Sequence, residues 1–276
     1  MRKIIALCFI LGTLTSAADV VRSPIHSVEK INGNTLIKFE NGRVGFLSSQ
    51  EKNLSVLDWH SLRGRMVEAR LDDNDSNVIS ILASEKQTKE FKNLETLETI
   101  EPPVYEPTII ENFTEASKIF QRLNPQYKRA SECTNRAHVW ASEEFKKNNI
   151  KSMKIFALFT ASYINRVRFK WWFHVAPMLA VKENGKIERR VLDFMFNHGP
   201  VTVKEWTDQF VFSKRPCHPT TKFSEYDVNP QTEDCYLMDG PMYYWSPTDL
   251  HNQEMQTRYK TEFSQGELRA AYREAF

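Results

Sequence analysis

The sequence predicts an α+β protein in two parts: a small all-β unit, then a larger domain in which helices precede an antiparallel sheet. Three features carry that reading. Asn41-Gly42 joins two short strand-like runs early in the chain. Ile109, Phe113, Ala116 and Phe120 recur at helical spacing further on. A second Asn-Gly pair, Asn184-Gly185, then separates two long strand-like runs. Asn-Gly between apolar runs is the strongest short hairpin signal, and recurrence every three or four residues marks an amphipathic helix.

The first 18 residues form a separate element. Arg2 and Lys3 precede an apolar run, and Thr15-Ser16-Ala17-Ala18 supplies small residues for cleavage. This is the pattern of a secretory signal peptide, cut after Ala17 or Ala18, and the run is too short for a membrane anchor. A secreted or periplasmic protein is expected, with no membrane association. Of 37 basic residues, Arg2 and Lys3 leave with the signal, so 35 balance the 35 acidic ones. A chain with no net positive charge lacks the basic field that nucleic-acid binding needs.

Residues 19–85 read as the small β domain. The runs 35–39 and 44–47 make one hairpin, and 66–71 and 78–82 make another. The acidic turn between the latter pair, residues 72–77, lacks the Gly and the distal Glu of a calcium loop. It reads as a solvated turn, and this domain offers no chemistry. Residues 86–108, rich in Lys, Glu and Thr and ending in Glu101-Pro102-Pro103 and Glu106-Pro107, form a linker open to proteolytic nicking.

The third part, 109–276, opens with a helix from Ile109 that Asn124-Pro125 ends. A second helix starts near Ser131, with Ala137, Trp140, Ala141 and Phe145 as its apolar stripe. Strands follow over 153–161, 168–182 and 187–196. His198-Gly199-Pro200 breaks the pattern, and Thr202 caps a short helix through Trp206 and Phe210. The chain then reads as loop until Met242, with two further helices from about Thr248 and Ser264.

Once Cys8 leaves with the signal, Cys133, Cys217 and Cys235 remain. Exported cysteines usually pair, so an odd count leaves one thiol over. Cys217 and Cys235 lie close together in a loop-rich stretch and are expected to pair, which stabilises by roughly 3 kcal/mol for a loop of this size. Cys133 then stays free. In the first turn of its helix it would meet unpaired N–H groups and the positive end of the helix dipole. Both favour a thiolate and can hold a developing oxyanion.

The Asn184-Gly185 hairpin supplies a base for that thiol. If Glu183 faces Lys186, then Ala176 faces Asp193 and His174 faces Met195. His174 and Asp193 are then same-face diagonal neighbours about 7 Å apart by backbone, within side-chain reach. A slip of one residue would separate them, and Pro177 in the first strand introduces a bulge or marks an edge. A core histidine beside Trp171, Trp172 and Phe173, and a turn-capping aspartate, are the plain alternatives. No His-Glu-x-x-His or paired Cys-x-x-Cys is present, so no metal is expected.

Glu132-Cys133-Thr134-Asn135-Arg136-Ala137-His138, Trp172-Phe173-His174-Val175-Ala176-Pro177, and Val191-Leu192-Asp193 followed by Gly199-Pro200-Val201-Thr202 and Trp206 resemble three segments of the secreted protein-glutaminases. The resemblance covers roughly residues 110–215. It implies a transglutaminase/papain-like catalytic domain, a Cys133-His174-Asp193 triad, no cofactor, and deamidation of exposed glutamines in protein or peptide substrates. Trp172 and Trp206, with Trp171, become expected walls of the substrate groove. It further implies that 19–85 is a pro-region released by an activating protease. Transglutaminase chemistry, a papain-like peptidase and a non-catalytic exported binding protein remain as alternatives.

Overall fold

The computed structural model describes residues 19–31, 33–47, 62–72, 77–83, 104–122, 132–226, 233–255 and 259–276. The expected signal peptide, most of the expected linker, the tip of the acidic turn and Ser131 lie outside them.

The N-terminal unit is a five-stranded sheet: β1 (Asp19–Ile31), β2 (Asn34–Phe39), β3 (Val44–Leu47), β4 (Met66–Leu71) and β5 (Val78–Ala83), in the order β3-β2-β1-β4-β5. Both expected hairpins form, and β1, which the sequence reading did not separate, joins them. Its first half pairs with β4 and its second with β2, with a register shift between Ile25 and Ser27. Such a shift bends a strand and increases its twist. The bend brings the outer strands together, and Phe46 bridges to Asn77. Ile25, Ile37, Phe39, Val67 and Leu71 fill the interior.

The second unit is built on a mixed six-stranded sheet of β6 (Ile109–Ile110), β7 (Met153–Phe159), β8 (Phe173–Glu183), β9 (Lys186–Val191), β10 (His218–Pro219) and β11 (Cys235–Pro241). The order runs β10-β11-β7-β8-β6, with β9 also on β8. Among the described residues six helices surround it: α1 (Phe113–Gln121), α2 (Cys133–Asn148), α3 (Ala161–Val167), α4 (Val203–Thr207), α5 (Pro247–Glu254) and α6 (Gln265–Ala275). The first expected helix starts later than its periodicity suggests. Ile109 and Ile110 pair with Ala180 and Val181, and Asn112 caps α1 by accepting from the Glu115 N–H at 2.9 Å.

Two elements went unread in the sequence. Thr160 caps α3, which fills the gap between the runs expected as strands over 153–161 and 168–182, and Arg168 ends it in the left-handed region at φ 53°. β11 pairs along its whole length with β7. Asp239, Gly240 and Pro241 hide it, because each is depleted in strands. Cys217 and Cys235 form a disulfide that ties the stretch before β10 to the start of β11.

The β8–β9 hairpin has the expected register. Asn184 and Gly185 both take positive φ, 51° and 77°, as a two-residue twisted turn requires, and Glu183 faces Lys186. The ladder stops at Val191, however. Pro177 accepts from the Leu192 N–H but has no N–H to return. Regular pairing therefore ends there, and the chain turns through Asp193, whose carbonyl accepts from Phe196 and Asn197. Pro177 itself sits in register opposite Lys154, with no bulge. Its effect falls on the partner strand.

Helix α2 packs against β8 and α6. Asn149 closes it in the left-handed region at φ 54°, with Lys146 and Lys147 in the last turn, where cations favour the dipole. The two units share one core: Leu36, Val44 and Phe46 of the N-terminal sheet cluster with Ile155, Phe156, Trp172 and Phe173. No helix among the described residues is long and apolar enough to cross a membrane.

Candidate active site

Cys133 is the first residue of α2. Glu132, not Ser131, is the N-cap residue, and its side chain caps no helical N–H. The N–H groups of the first turn thus receive no bond from the capping side chain, and they open beside the sulfur. Cys133 is the free cysteine among the described residues, 6% exposed.

His174 lies on β8 opposite Ala157 of the neighbouring strand β7. Its Nε2 meets Asp193 Oδ2 at 2.6 Å, and the ring also hydrogen-bonds the Cys133 side chain, which leaves Nδ1 for the sulfur. The sequence placed His174 and Asp193 as diagonal neighbours on a continuous ladder. They meet instead because the chain leaves the ladder after Leu192 and folds the carboxylate back toward the ring.

The carboxylate is fixed from three sides. Trp206 Nε1 donates to Oδ2 at 2.9 Å, the Met195 N–H donates to Oδ1 at 3.3 Å, and the imidazole takes the rest. Trp206 is placed by α4, where Thr202 and Glu205 form a reciprocal capping box. It stacks on His174 with ring centroids 5.5 Å apart, while Phe196 and Phe210 meet the imidazole edge-on at 5.3 Å.

These surroundings set the charges. Burial pulls the His174 pKa down, but the Asp193 carboxylate, the adjacent thiol and its hydrogen bonds to both outweigh it and raise the value to about 9. Burial pushes the Asp193 carboxyl up, but His174, the Trp206 N–H and Arg136 bring it below the usual carboxylate range. An imidazolium held against the Asp193 carboxylate is thus the stable form of His174 at neutral pH.

A cleft of about 690 Å³ opens on this group. Cys133 and His174 lie at its base; Trp171, Phe169, Phe196, Phe210 and Phe212 wall it, and Arg136 stands one helical turn after the sulfur. Trp172 and Trp206 do not line it, contrary to the sequence expectation. Trp172 is 1% exposed and donates from Nε1 to the Phe39 carbonyl of the N-terminal unit, while Trp206 is wholly buried behind the His–Asp pair. Two adjacent tryptophans on an extended run point to opposite sides, so a sequence that names both gives one core residue and one wall.

The N-terminal unit also contributes, against the expectation that it holds no chemistry. Asp19 and Arg43 line the cleft as an ion pair, and the Arg43 guanidinium lies 5.0 Å over the Trp171 ring. Glu132 is hydrogen-bonded to the Asn41 side chain; burial raises its pKa to about 7 against that bond and the charges of Arg43 and Arg136. Nothing local in residues 41–43 beyond the turn signal could have shown this. Among the described residues no group of three or more His, Cys, Asp and Glu side chains could hold a metal ion.

Thiol, imidazole and carboxylate in this order, with the thiol heading a helix and the base on an antiparallel part of the sheet, define an α+β fold of the papain/transglutaminase type. Residues 109–210 match the family model described as Glutaminase. The crystal structure of a pro-protein-glutaminase is similar, with a TM-score of 0.50 and 14% identity over 87% of this chain and 92% of that one. A mutant of pro-protein-glutaminase is similar with a TM-score of 0.52 and 14% identity over 92% of this chain and 98% of that one. No curated protein matches the chain.

Proposed function

We propose that this protein is an exported protein-glutamine glutaminase, which hydrolyses glutamine side chains in proteins to glutamate and ammonia through a thioester on Cys133. The observation that carries the reading is the His174–Asp193 contact of 2.6 Å with the same ring bonded to Cys133. The family match over residues 109–210 supports the choice of amide.

In this reading the Cys133 thiolate attacks the side-chain carbonyl carbon, and N–H groups at the head of α2 hold the oxyanion. The C–N bond breaks as His174 Nδ1 gives its proton to the departing ammonia. With the thiolate consumed, one influence that raised the His174 pKa is gone, so the imidazole is readier to act as a base. It takes a proton from water, the resulting hydroxide attacks the thioester, and the glutamate product leaves Cys133 as it began. Asp193 fixes the ring and balances its charge.

The N-terminal β unit is then a pro-region that restricts the site until a protease cuts the linker, as the likeness to two pro-forms supports. Mass spectrometry of a glutamine-rich protein after incubation tests the activity. A gain of about one dalton at glutamine is expected, the difference between an amide and an acid under the hydrolytic route. Lysine cross-links would instead assign a transglutaminase, and chain scission a peptidase.

A further inference from the structure

We infer that Trp140 is a positioning residue for the His174–Asp193 pair: through one ordered water its indole N–H holds Oδ1 of Asp193, the carboxylate oxygen that the imidazole does not use. Its part in the reaction rests on the glutaminase reading above.

Helical spacing prepares the site. Arg136, Ala137 and Trp140 follow Cys133 by three, four and seven residues, so all four fall on one face of α2. Across from them stand residues 175–177 of β8 and residues 192–194, where the chain leaves the ladder. Because Pro177 ends the pairing of that strand, the chain swings away and the two surfaces do not close fully. A cavity of about 20 Å³ lies between them, with Cys133, Arg136, Trp140 and Asp193 in its lining. One water needs about 10–15 Å³ and two to four polar partners.

Trp140 brings an unmet donor to that space. It is 2% exposed and belongs to an apolar cluster with Ile119 and Leu192. Its Nε1 finds no acceptor among the described residues. A buried indole N–H is ordinarily matched, and by water where no protein group reaches it. Asp193 has the capacity to complete the bridge. Its Oδ2 accepts from His174 at 2.6 Å and from Trp206 at 2.9 Å, whereas Oδ1 has the Met195 N–H at 3.3 Å. Each carboxylate oxygen accepts about two bonds. A water here accepts from the indole and donates to Oδ1. Trp206 then fixes one oxygen directly and Trp140 the other through water, so the carboxylate cannot turn away from the ring. This water is not the one that hydrolyses the thioester, because His174, the base, lines the larger cleft and not this cavity.

The test reads the downfield proton NMR resonance of the His174 Nε2–Asp193 Oδ2 bond in the full chain, together with kcat and KM for ammonia release from acetyl-Gly-Gln-Gly-amide after the linker is cut. Trp140→Phe keeps much of the ring and removes the donor. In it the resonance should shift, and kcat should fall about fivefold, the weight of one hydrogen bond, with KM unchanged. Ile119→Val, which trims the same apolar cluster away from the cavity, should do neither. An unmoved resonance or an unchanged kcat in Trp140→Phe, or the same changes in Ile119→Val, would overturn the inference. Should Trp140→Phe fail to fold, a crystal structure of the wild type decides. A water within about 3.2 Å of both Trp140 Nε1 and Asp193 Oδ1 is expected, and a water touching one of them alone, or neither, would overturn it. If the wild type shows that water and that resonance but releases no ammonia, the glutaminase reading falls and the bridge to Asp193 stands.

Discussion

Two histidines of the second unit sit close to the same helix, and one is charged where the other is neutral. His174 faces Asp193 and the Cys133 thiol, and its pKa rises to about 9. His138, on α2, is wholly buried, and its Nδ1 accepts from Lys154 Nζ at 2.8 Å. Burial and the nearby Lys154 and Lys260 charges push its pKa far down. Burial acts on both rings in the same direction, against the charged form. What differs is the partner: a carboxylate reverses the penalty and an amine adds to it. Lys154, fully buried and also donating to the Tyr244 carbonyl, is itself driven well below its usual pKa, chiefly by burial. One site thus holds a proton beside a carboxylate at the base of an open cleft, and the other keeps two bases neutral inside a core.

The comparison can be broken at four points. Cys133→Ala should abolish ammonia release from a glutamine-rich protein while circular dichroism stays unchanged; undiminished release would end the proposed chemistry. Asp193→Asn keeps the shape but removes the charge that holds the imidazolium. A loss of about 10³–10⁴ in kcat is expected, with the alkaline limb of kcat/KM moving below its wild-type position near pH 9. Lys154→Ala should leave kcat intact in folded protein yet lower unfolding free energy by about 2–5 kcal/mol, through the cavity and the two acceptors left unpaired. Urea midpoints measure it, and lost activity at full stability would instead bring the His138 pair into the reaction.

The pH dependence is the mildest effect. The folded pKa of His174 lies above its unfolded value of 6.5. Its contribution is therefore complete below pH 6.5 and lost as pH rises through about 9. By linkage that amounts to about 3 kcal/mol, and denaturation between pH 6 and 10 should show it in the wild type and much less of it in Asp193→Asn.

Much of this was readable from residues alone because local rules determined it. Asn184-Gly185 set the hairpin and its register, Thr202 set α4, and the cysteine parity left Cys133 unpaired. The α+β order and the three residues of the candidate site followed. What escaped reading depended on contacts distant in sequence. β11 is a strand because β7 offers it seven partners, in spite of Asp239-Gly240-Pro241. Trp172 is a core residue because Phe39 and His26 of the other unit cover it, His26 stacking on it at 4.4 Å. Arg43 reaches the cleft only through a docking that no pattern in the first 85 residues encodes. The position of Asp193 turned on a subtler point, since Pro177 sits correctly in its own strand and ends the pairing of its neighbour.

The paired sulfurs of Cys217 and Cys235 are both buried, whereas the lone sulfur of Cys133 borders an open cleft. Thiol exchange needs direct approach of one sulfur to another, so a mild reductant meets the two at very different rates. A purified sample can therefore be rescued from oxidation at Cys133 without unfastening the link at the start of β11.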